Sequence, residues 1–377
     1  MKKIIDLIEQ EIGTAFEKAG YDRSYARVTI SNRPDLCEYQ CNGAMAGAKA
    51  YKKAPIMIAN DVIANLTEKT YIAEIEAVNP GFINIKADKD AVAEYLNAMK
   101  TCDNHGIEQA KEPKTILVDY GGPNVAKPLH VGHLRSAVIG ESVKRIARKM
   151  GHKVLGDIHL GDWGYQMGLI VTELKKRQPK LPYFQEDFEG EYPVEAPFTI
   201  GELEEIYPTA SAKAKEDEAY REEALHATYL LQNGHRGYTA IWKHIMSVSV
   251  VDLKKNYQNL NVEFDLWKGE SDAQAYIPDM IKELKEKGYA HEDQGALVID
   301  VQEETDTKEI PPCMIQKSDG ASLYGTTDLA TLIQREQDYH PDHVIYVVDK
   351  RQELHFVQVF RAAKKTGIVP EDTKLSF

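Results

Sequence analysis

Cysteine is scarce in this chain, four among 377 residues. Positions 37, 41, 102 and 313 show neither a CxxC pair nor the density of a secreted disulfide scaffold. A zinc ribbon and a stapled miniprotein are thereby excluded, and the four read as reduced thiols. Long apolar runs are missing too: Lys, Asp or Glu interrupts every candidate before the roughly 18 residues that a membrane-spanning helix requires. Met1-Lys2-Lys3-Ile4-Ile5 imitates the opening of a signal peptide, but Asp6, Glu9 and Glu11 fall where its apolar stretch should run. A cytoplasmic protein with no membrane association is expected. Basic charge is in short supply, with 46 Lys plus Arg against 59 Asp plus Glu and a net charge of −13. A surface that grips nucleic acid everywhere is excluded, and any such contact is local.

What is present is ordinary for a globular chain: 43% hydrophobic and 28% charged residues, too apolar for disorder. At roughly 150 residues per domain, the length corresponds to two or three folded units. The first, residues 1 to about 112, opens with Ile4, Ile5, Ile8, Ile12 and Phe16 at helical spacing. A second helix is predicted over 42–53, and strand-like alternation over 71–78 and 82–85 brackets a Pro80-Gly81 turn. This is a small α+β module, closed by the polar stretch 104–113.

The pattern then changes. Thr115-Ile116-Leu117-Val118-Asp119-Tyr120 is a short apolar run of the kind buried in a parallel sheet. Gly121-Gly122-Pro123 follows, then a predicted helix over 132–150 and a second strand over 153–158. Strand, glycine turn and helix open an α/β nucleotide-binding fold. Another buried strand at 343–348, with a helix over 353–365, resumes the sheet after a detour of about 170–321. In that detour 178–208 is rich in proline and acid, and 213–259 reads as two long helices parted by Asn233-Gly234. The last residues begin a further strand, so the sequence is expected to stop inside a domain.

The chemistry is concentrated in Asn124-Val125-Ala126-Lys127-Pro128-Leu129-His130-Val131-Gly132-His133-Leu134-Arg135-Ser136. A His-x-Gly-His run after a strand sets Gly132 where a side chain would block a nucleotide from the backbone, with His130 and His133 at the helix start. Nucleotidyl transfer from ATP builds negative charge on the α-phosphoryl group and the departing pyrophosphate. Donors fixed at a helix N-terminus therefore stabilise the transition state more than the ground state. Taken alone, a His-x-x-His pair also fits surface decoration or, at other spacings, a metal site. Zinc is disfavoured, with no Cys nearby and no Glu as in a metalloprotease helix, and no metal site is expected.

HVGH resembles the HIGH signature of class I aminoacyl-tRNA synthetases, and the longer run resembles the arginyl-tRNA synthetase family. Further stretches resemble that family in order: Gly161-Asp162-Trp163-Gly164, Gly269-Glu270-Ser271, Leu323 to Asp328, and Tyr346 to His355. The first unit resembles the family's added domain through Asp35 to Asn42 and Asn79 to Asn84, so the resemblance covers effectively the whole chain. It implies a class I Rossmann-like parallel sheet over 113–377, with insertions at about 170–240 and 270–321, preceded by the added domain over 1–112. It further implies an arginine-tRNA ligase that forms arginyl-adenylate from ATP, accompanied by Mg²⁺, and transfers arginine to tRNA(Arg). Adenylate formation would require bound tRNA, and a monomer is expected. The KMSKS-like loop and the helical anticodon-binding domain of that family are expected to lie beyond this sequence, so the fragment itself is expected to be inactive, and a tRNA-binding module or an inactive fragment without catalysis is the alternative. A different adenylyl transferase acting on a smaller substrate is a second rival, which the extra domain and insertions argue against.

Residue roles follow from the same resemblance. A site selecting guanidinium presents forked carboxylates, and Asp328 and Glu270 are the candidates. Asp328 in a first helical turn and Glu270 beside a glycine also have plain structural readings. Tyr324 would stack on or hydrogen-bond the guanidinium. Asn124 and Gln352 are implied as binders of the amino acid's polar groups, and His355 as a contact of the adenylate. Lys127, three residues ahead of His130, is implied to carry the phosphate-binding charge that other class I enzymes take from KMSKS. Asn42 is implied to touch the tRNA D-loop, although capping the helix that follows explains it equally well.

Overall fold

The computed structural model describes residues 1–127, 129–317 and 323–377. Pro128 of the histidine motif and residues 318–321 of the second expected insertion lie outside them. The chain forms two compact units, Met1–Gln109 and Ala110–Phe377.

The first unit runs α1 (Ile4–Lys18), β1 (Val28–Ile30), β2 (Tyr39–Cys41), α2 (Gly43–Tyr51), α3 (Pro55–Ala64), β3 (Ile72–Val78), β4 (Phe82–Ala87) and α4 (Lys89–Thr101). Its sheet is antiparallel in the order β1-β2-β4-β3. The helical spacing in α1 buries Ile8, Ile12 and Phe16 against Ile83 and Ile85 of β4 and Ile58 and Val62 of α3. Asn42 stands at the start of α2, exposed, and its side chain makes no capping bond. The capping explanation of that residue is therefore withdrawn: its backbone (φ −103°, ψ 9°) lies outside the extended region from which an Asn normally reaches back to the first turn.

The second unit contains β5 (Thr115–Tyr120), α5 (Val131–Lys149), β6 (Lys153–Asp157), α6 (Tyr165–Arg177), α7 (Ile200–Glu216), α8 (Glu218–Gln232), α9 (Arg236–Asn259), α10 (Ile277–Glu286), β7 (His291–Asp293), β8 (Ala296–Ile299), β9 (Cys313–Gln316), α11 (Tyr324–Tyr339), β10 (His343–Val347), α12 (Glu353–Thr366) and β11 (Lys374–Ser376). Among the described residues β11-β10-β5-β6 form a parallel sheet, and β7-β8-β9 a small antiparallel one. Alternation along β5 explains why both faces are covered. Ile116, Val118 and Tyr120 join the core built with α6, α8 and α9, whereas Leu117 joins the core of α10, α11 and α12.

The detour differs from its sequence reading in one respect. Three helices occupy 200–259, because Asp217 ends α7 and caps α8 through Ala219 N–H and Tyr220 N–H. Pro208 lies inside α7, so proline conceals a helix there. The two helices read over 213–259 run as α8 and α9 on either side of Asn233-Gly234, with Tyr238, Ile241, Ile245, Leu253 and Tyr257 buried along α9.

The sheet order sets the site. From β5 the chain crosses to β6 on one side, while β10 flanks β5 on the other, so a crevice opens beyond the C-terminal ends of β5 and β10. The loop from β5 into α5, which carries the histidine motif, emerges there. Ser136 of α5 pins that helix to both strand ends: it accepts from Gly121 N–H at 3.2 Å and donates to the Val347 carbonyl.

Candidate active site

The histidine motif forms the N-terminus of α5. His130 is its N-cap, and its Nδ1 accepts the Gly132 N–H at 3.1 Å. His133 Nδ1 accepts the His130 N–H at 3.4 Å, and the two rings stack with centroids 3.9 Å apart. Since both Nδ1 atoms act as acceptors, each neutral ring carries its proton on Nε2 and presents it outward as a donor. Gly132 is required by this arrangement: a Cβ there would lie 2.8 Å from His130 Cε1. Partial burial, with His130 and Lys127 alongside, pushes His133 down to about 4, so it is uncharged near neutral pH. The first turn of α5 holds no acid, leaving its positive end uncompensated.

Lys127 precedes this turn on a strained segment. Ala126 adopts φ 59°, unusual for a residue with a Cβ, and its N–H is held at 3.2 Å by the buried Ser249 hydroxyl of α9. The Lys127 ammonium sits 4.3 Å from the ring centroid of Tyr207 on α7.

A second group assembles from three separate segments. Asn124 pairs with Gly161, and Leu160 with Gly269, so extensions of the strands bring Asn124 and Glu270 to opposite sides of the 160–161 segment. Glu270 N–H donates to the Leu160 carbonyl at 3.0 Å. Asp162 fastens this layer, accepting from Ser271 N–H at 2.9 Å and Ser271 Oγ at 2.6 Å, while its own carbonyl accepts from Trp242 Nε1 at 2.9 Å. Gly269 is needed for that contact, because a Cβ there would come within 2.7 Å of Asp162 Oδ1. Burial pushes Glu270 up to about 7; His159 opposes this, and Asp162 and Asp328 add to it.

Asp328, in the second turn of α11, accepts a hydrogen bond from His355 Nε2 of α12 at 2.5 Å. The phenol of Tyr324, exposed at the start of α11, feels Glu270, Tyr207 and Asp328. Glu270, Tyr324, Asp328 and His355 thus form one electrostatic group. Gln352 stands exposed just ahead of α12, one turn from His355. Asn42 belongs to the first unit.

Seven residues beyond Asp328, and so on a similar face of α11, the buried Arg335 donates to Asp119 at 2.5 Å and Asp157 at 2.8 Å. Asp119, Asp157 and His159 place ligand-type atoms within 4.8 Å of one another. The Arg335 guanidinium already supplies their cation and anchors α11 to the ends of β5 and β6. A cavity of about 710 Å³ beside α12 and β11 is lined by none of the candidate residues.

The sequence reading assigned no role to Asp162 or Tyr207. Asp162 left a usable signal, an acid among glycines directly after a buried strand, whereas Tyr207 left none among 20 tyrosines.

The profile of tRNA synthetases class I (R), catalytic domain, matches residues 96–377, and that of the arginyl tRNA synthetase N terminal domain matches residues 2–87. The chain belongs to the arginyl-tRNA synthetase family. It is 65% identical over 376 residues to an arginine--tRNA ligase of Agathobacter rectalis and 58% identical over 377 residues to one of Alkaliphilus oremlandii. It covers 63% and 64% of those two proteins, so it spans somewhat under two thirds of these curated relatives. Arginyl-tRNA synthetase from Plasmodium falciparum aligns with a TM-score of 0.74 at 27% identity, over 100% of this chain and 64% of that one. The Thermus thermophilus enzyme aligns with a TM-score of 0.67 at 19% identity, over 99% of this chain and 65% of that one, and shares the fold. These matches make the fold that of a class I synthetase. Among the described residues no helix is long and apolar enough to cross a membrane.

Proposed function

We propose that this chain carries the arginine-activating half of an arginine-tRNA ligase, joining arginine to ATP as arginyl-adenylate with release of pyrophosphate and passing arginine to tRNA(Arg). The observation that carries the proposal is the convergence of Glu270 with Tyr324 and Asp328, from two distant stretches of sequence, into one acidic group. A guanidinium is a planar, permanent cation, and two carboxylates plus a phenol match its donors.

In this reading Asp328, held by His355, and Glu270, held by the Asp162 layer, grip the guanidinium. Asn124 and Gln352 bind the polar groups of the amino acid. This assigns His355 to the arginine side through Asp328, where the sequence suggested the adenylate. His130 and His133 donate Nε2–H to the triphosphate, and Lys127 adds a full charge. The donor set suits a polyphosphate: two outward imidazole N–H groups, an ammonium and an uncompensated helix N-terminus. Mg²⁺ accompanies ATP, screening its charge, and no protein ligand for it is assigned.

No protein nucleophile is required, because the arginine carboxylate attacks the α-phosphorus and pyrophosphate departs with its bonding electrons. What these residues supply is alignment and charge stabilisation, and good alignment alone is worth an effective molarity on the order of 10⁵ M or more. The first unit is proposed to bind tRNA, with the exposed, uncommitted Asn42 as one contact.

Calorimetric titration of the 377-residue chain with L-arginine tests the reading against its isostere L-citrulline, which replaces the guanidinium by a neutral urea. A preference for arginine of tenfold or more at pH 8 supports it, and equal affinities contradict it.

A further inference from the structure

We propose that Tyr207 is a positioning residue for Lys127, holding the ammonium on a ring face so that it reaches the triphosphate pre-aligned and still fully charged. The inference rests on the reading of Lys127 as a phosphate-binding group and adds a residue from the helical insertion to that site.

Other lysines that lie on tyrosine rings keep acidic company. Lys53, Lys144, Lys176 and Lys213 also lie over tyrosine rings, at 5.4 to 5.9 Å from the centroid, and each of these pairs with a carboxylate. Lys127 is closer, at 4.3 Å, and among the described residues no acid lies within ion-pair distance of it. An acid would neutralise the charge that a polyphosphate needs. An aromatic face attracts a cation through its quadrupole without carrying a charge of its own.

The base of the side chain is already fixed by the left-handed Ala126 and its bond to Ser249. Its four-carbon stem is what remains to be ordered, and an unrestrained lysine stem loses rotamer entropy when it is. Tyr207 removes part of that loss before ATP arrives. The ring is itself anchored, packed against the cores around α6 and around Ala210, Tyr220 and Ala224. A cation seated on a ring face keeps N–H groups pointing away from it, so the contact can persist while phosphate oxygens bind on the other side. Tyr207 also lies within electrostatic range of Tyr324, so the same ring borders the arginine side.

The test is a double-mutant cycle on MgATP affinity, measured by calorimetry on the whole chain, with a lysine NMR readout. Tyr207→Leu is expected to weaken MgATP binding about three- to tenfold, and Tyr207→Phe, which keeps the ring, to restore it. In a Lys127→Met background Tyr207→Leu should have no further effect. The Lys127 ε-methylene resonance should be shifted upfield by the ring in free and MgATP-bound protein alike, and should lose that shift in Tyr207→Leu. Equal losses from Tyr207→Leu in both backgrounds, tighter MgATP binding by Tyr207→Leu, or an unshifted ε-methylene would each overturn the proposal. Unchanged MgATP affinity in Lys127→Met would instead overturn the underlying reading of Lys127, and this inference with it.

Discussion

The two ends of the candidate site are built on opposite electrical principles. At the proposed phosphate end His133 is kept neutral, pushed down to about 4, and the cation Lys127 rests on a ring that carries no net charge. At the proposed arginine end the acids are crowded: Glu270 is pushed up to about 7, and Asp328 is buttressed by His355. In the proposed function one end therefore presents an anion with donors that no acid has neutralised. The other stores unfavourable acid crowding that, in the proposed function, a guanidinium would relieve. Each half is costly or idle without its ligand, as expected where binding, more than folding, has set the residues.

The largest test of this contrast is Asp328→Asn. Losing one charged hydrogen bond should weaken L-arginine binding by more than about 1.5 kcal/mol, tenfold or greater, while MgATP affinity stays unchanged. Calorimetry with both ligands reads this, and an equal loss for both would merge the two ends into one.

Next in size is Asp162→Ala, which removes the acceptor of two Ser271 bonds and frees the segment that carries Glu270. A stability loss of about 1–3 kcal/mol in urea unfolding, with weaker arginine binding, is expected. Full stability would remove Asp162 as the fastener of that layer.

A smaller, pH-dependent effect concerns Glu270. If its ionised form pairs with guanidinium as proposed, arginine affinity should rise with pH through about 7 and then level off, with proton release on binding below that value. The folded chain retains a proton on Glu270 that the unfolded chain gives up near its ordinary value of 4.5. Its contribution to stability accordingly falls as pH rises through that window. Glu270→Gln should unfold at higher denaturant than wild type at pH 8, lose that advantage below about pH 4.5, and bind arginine poorly. An arginine affinity flat from pH 5.5 to 8.5 would place the proton elsewhere.

The smallest effect expected is that of Asn42→Ala on folding. Removing a working N-cap costs about 1 kcal/mol, but the Asn42 side chain makes no capping bond, so thermal unfolding should shift by less than about 0.5 kcal/mol. A full capping loss would return this residue to a structural role.

Legibility follows the same division. The histidine turn at the start of α5 could be read from the sequence because its residues are consecutive: strand, glycine turn and His-x-Gly-His sit within one stretch, and local geometry alone makes them neighbours. The proposed arginine end was nameable only through family resemblance, since Glu270 and Asp328 are two acids among 59 and only the tertiary fold brings them together. The helices α1, α5 and α12 and the strands β5 and β10 were evident from periodicity and apolar runs. Helix α7 was hidden by Pro208, and Tyr207 beside it by the absence of any local pattern. Sequence marked the fork of acids, but the His355 support for Asp328 and the Asp162 support for Glu270 are long-range contacts that no spacing encodes.

The most direct test of the central claim is a crystal structure of the chain soaked with L-arginine and a non-hydrolysable ATP analogue. The account predicts guanidinium nitrogens within about 3.2 Å of carboxylate oxygens of both Glu270 and Asp328, and phosphate oxygens at a similar distance from the Nε2 atoms of His130 and His133. An arginine bound away from those two acids, or a triphosphate that leaves both imidazoles untouched, would contradict it.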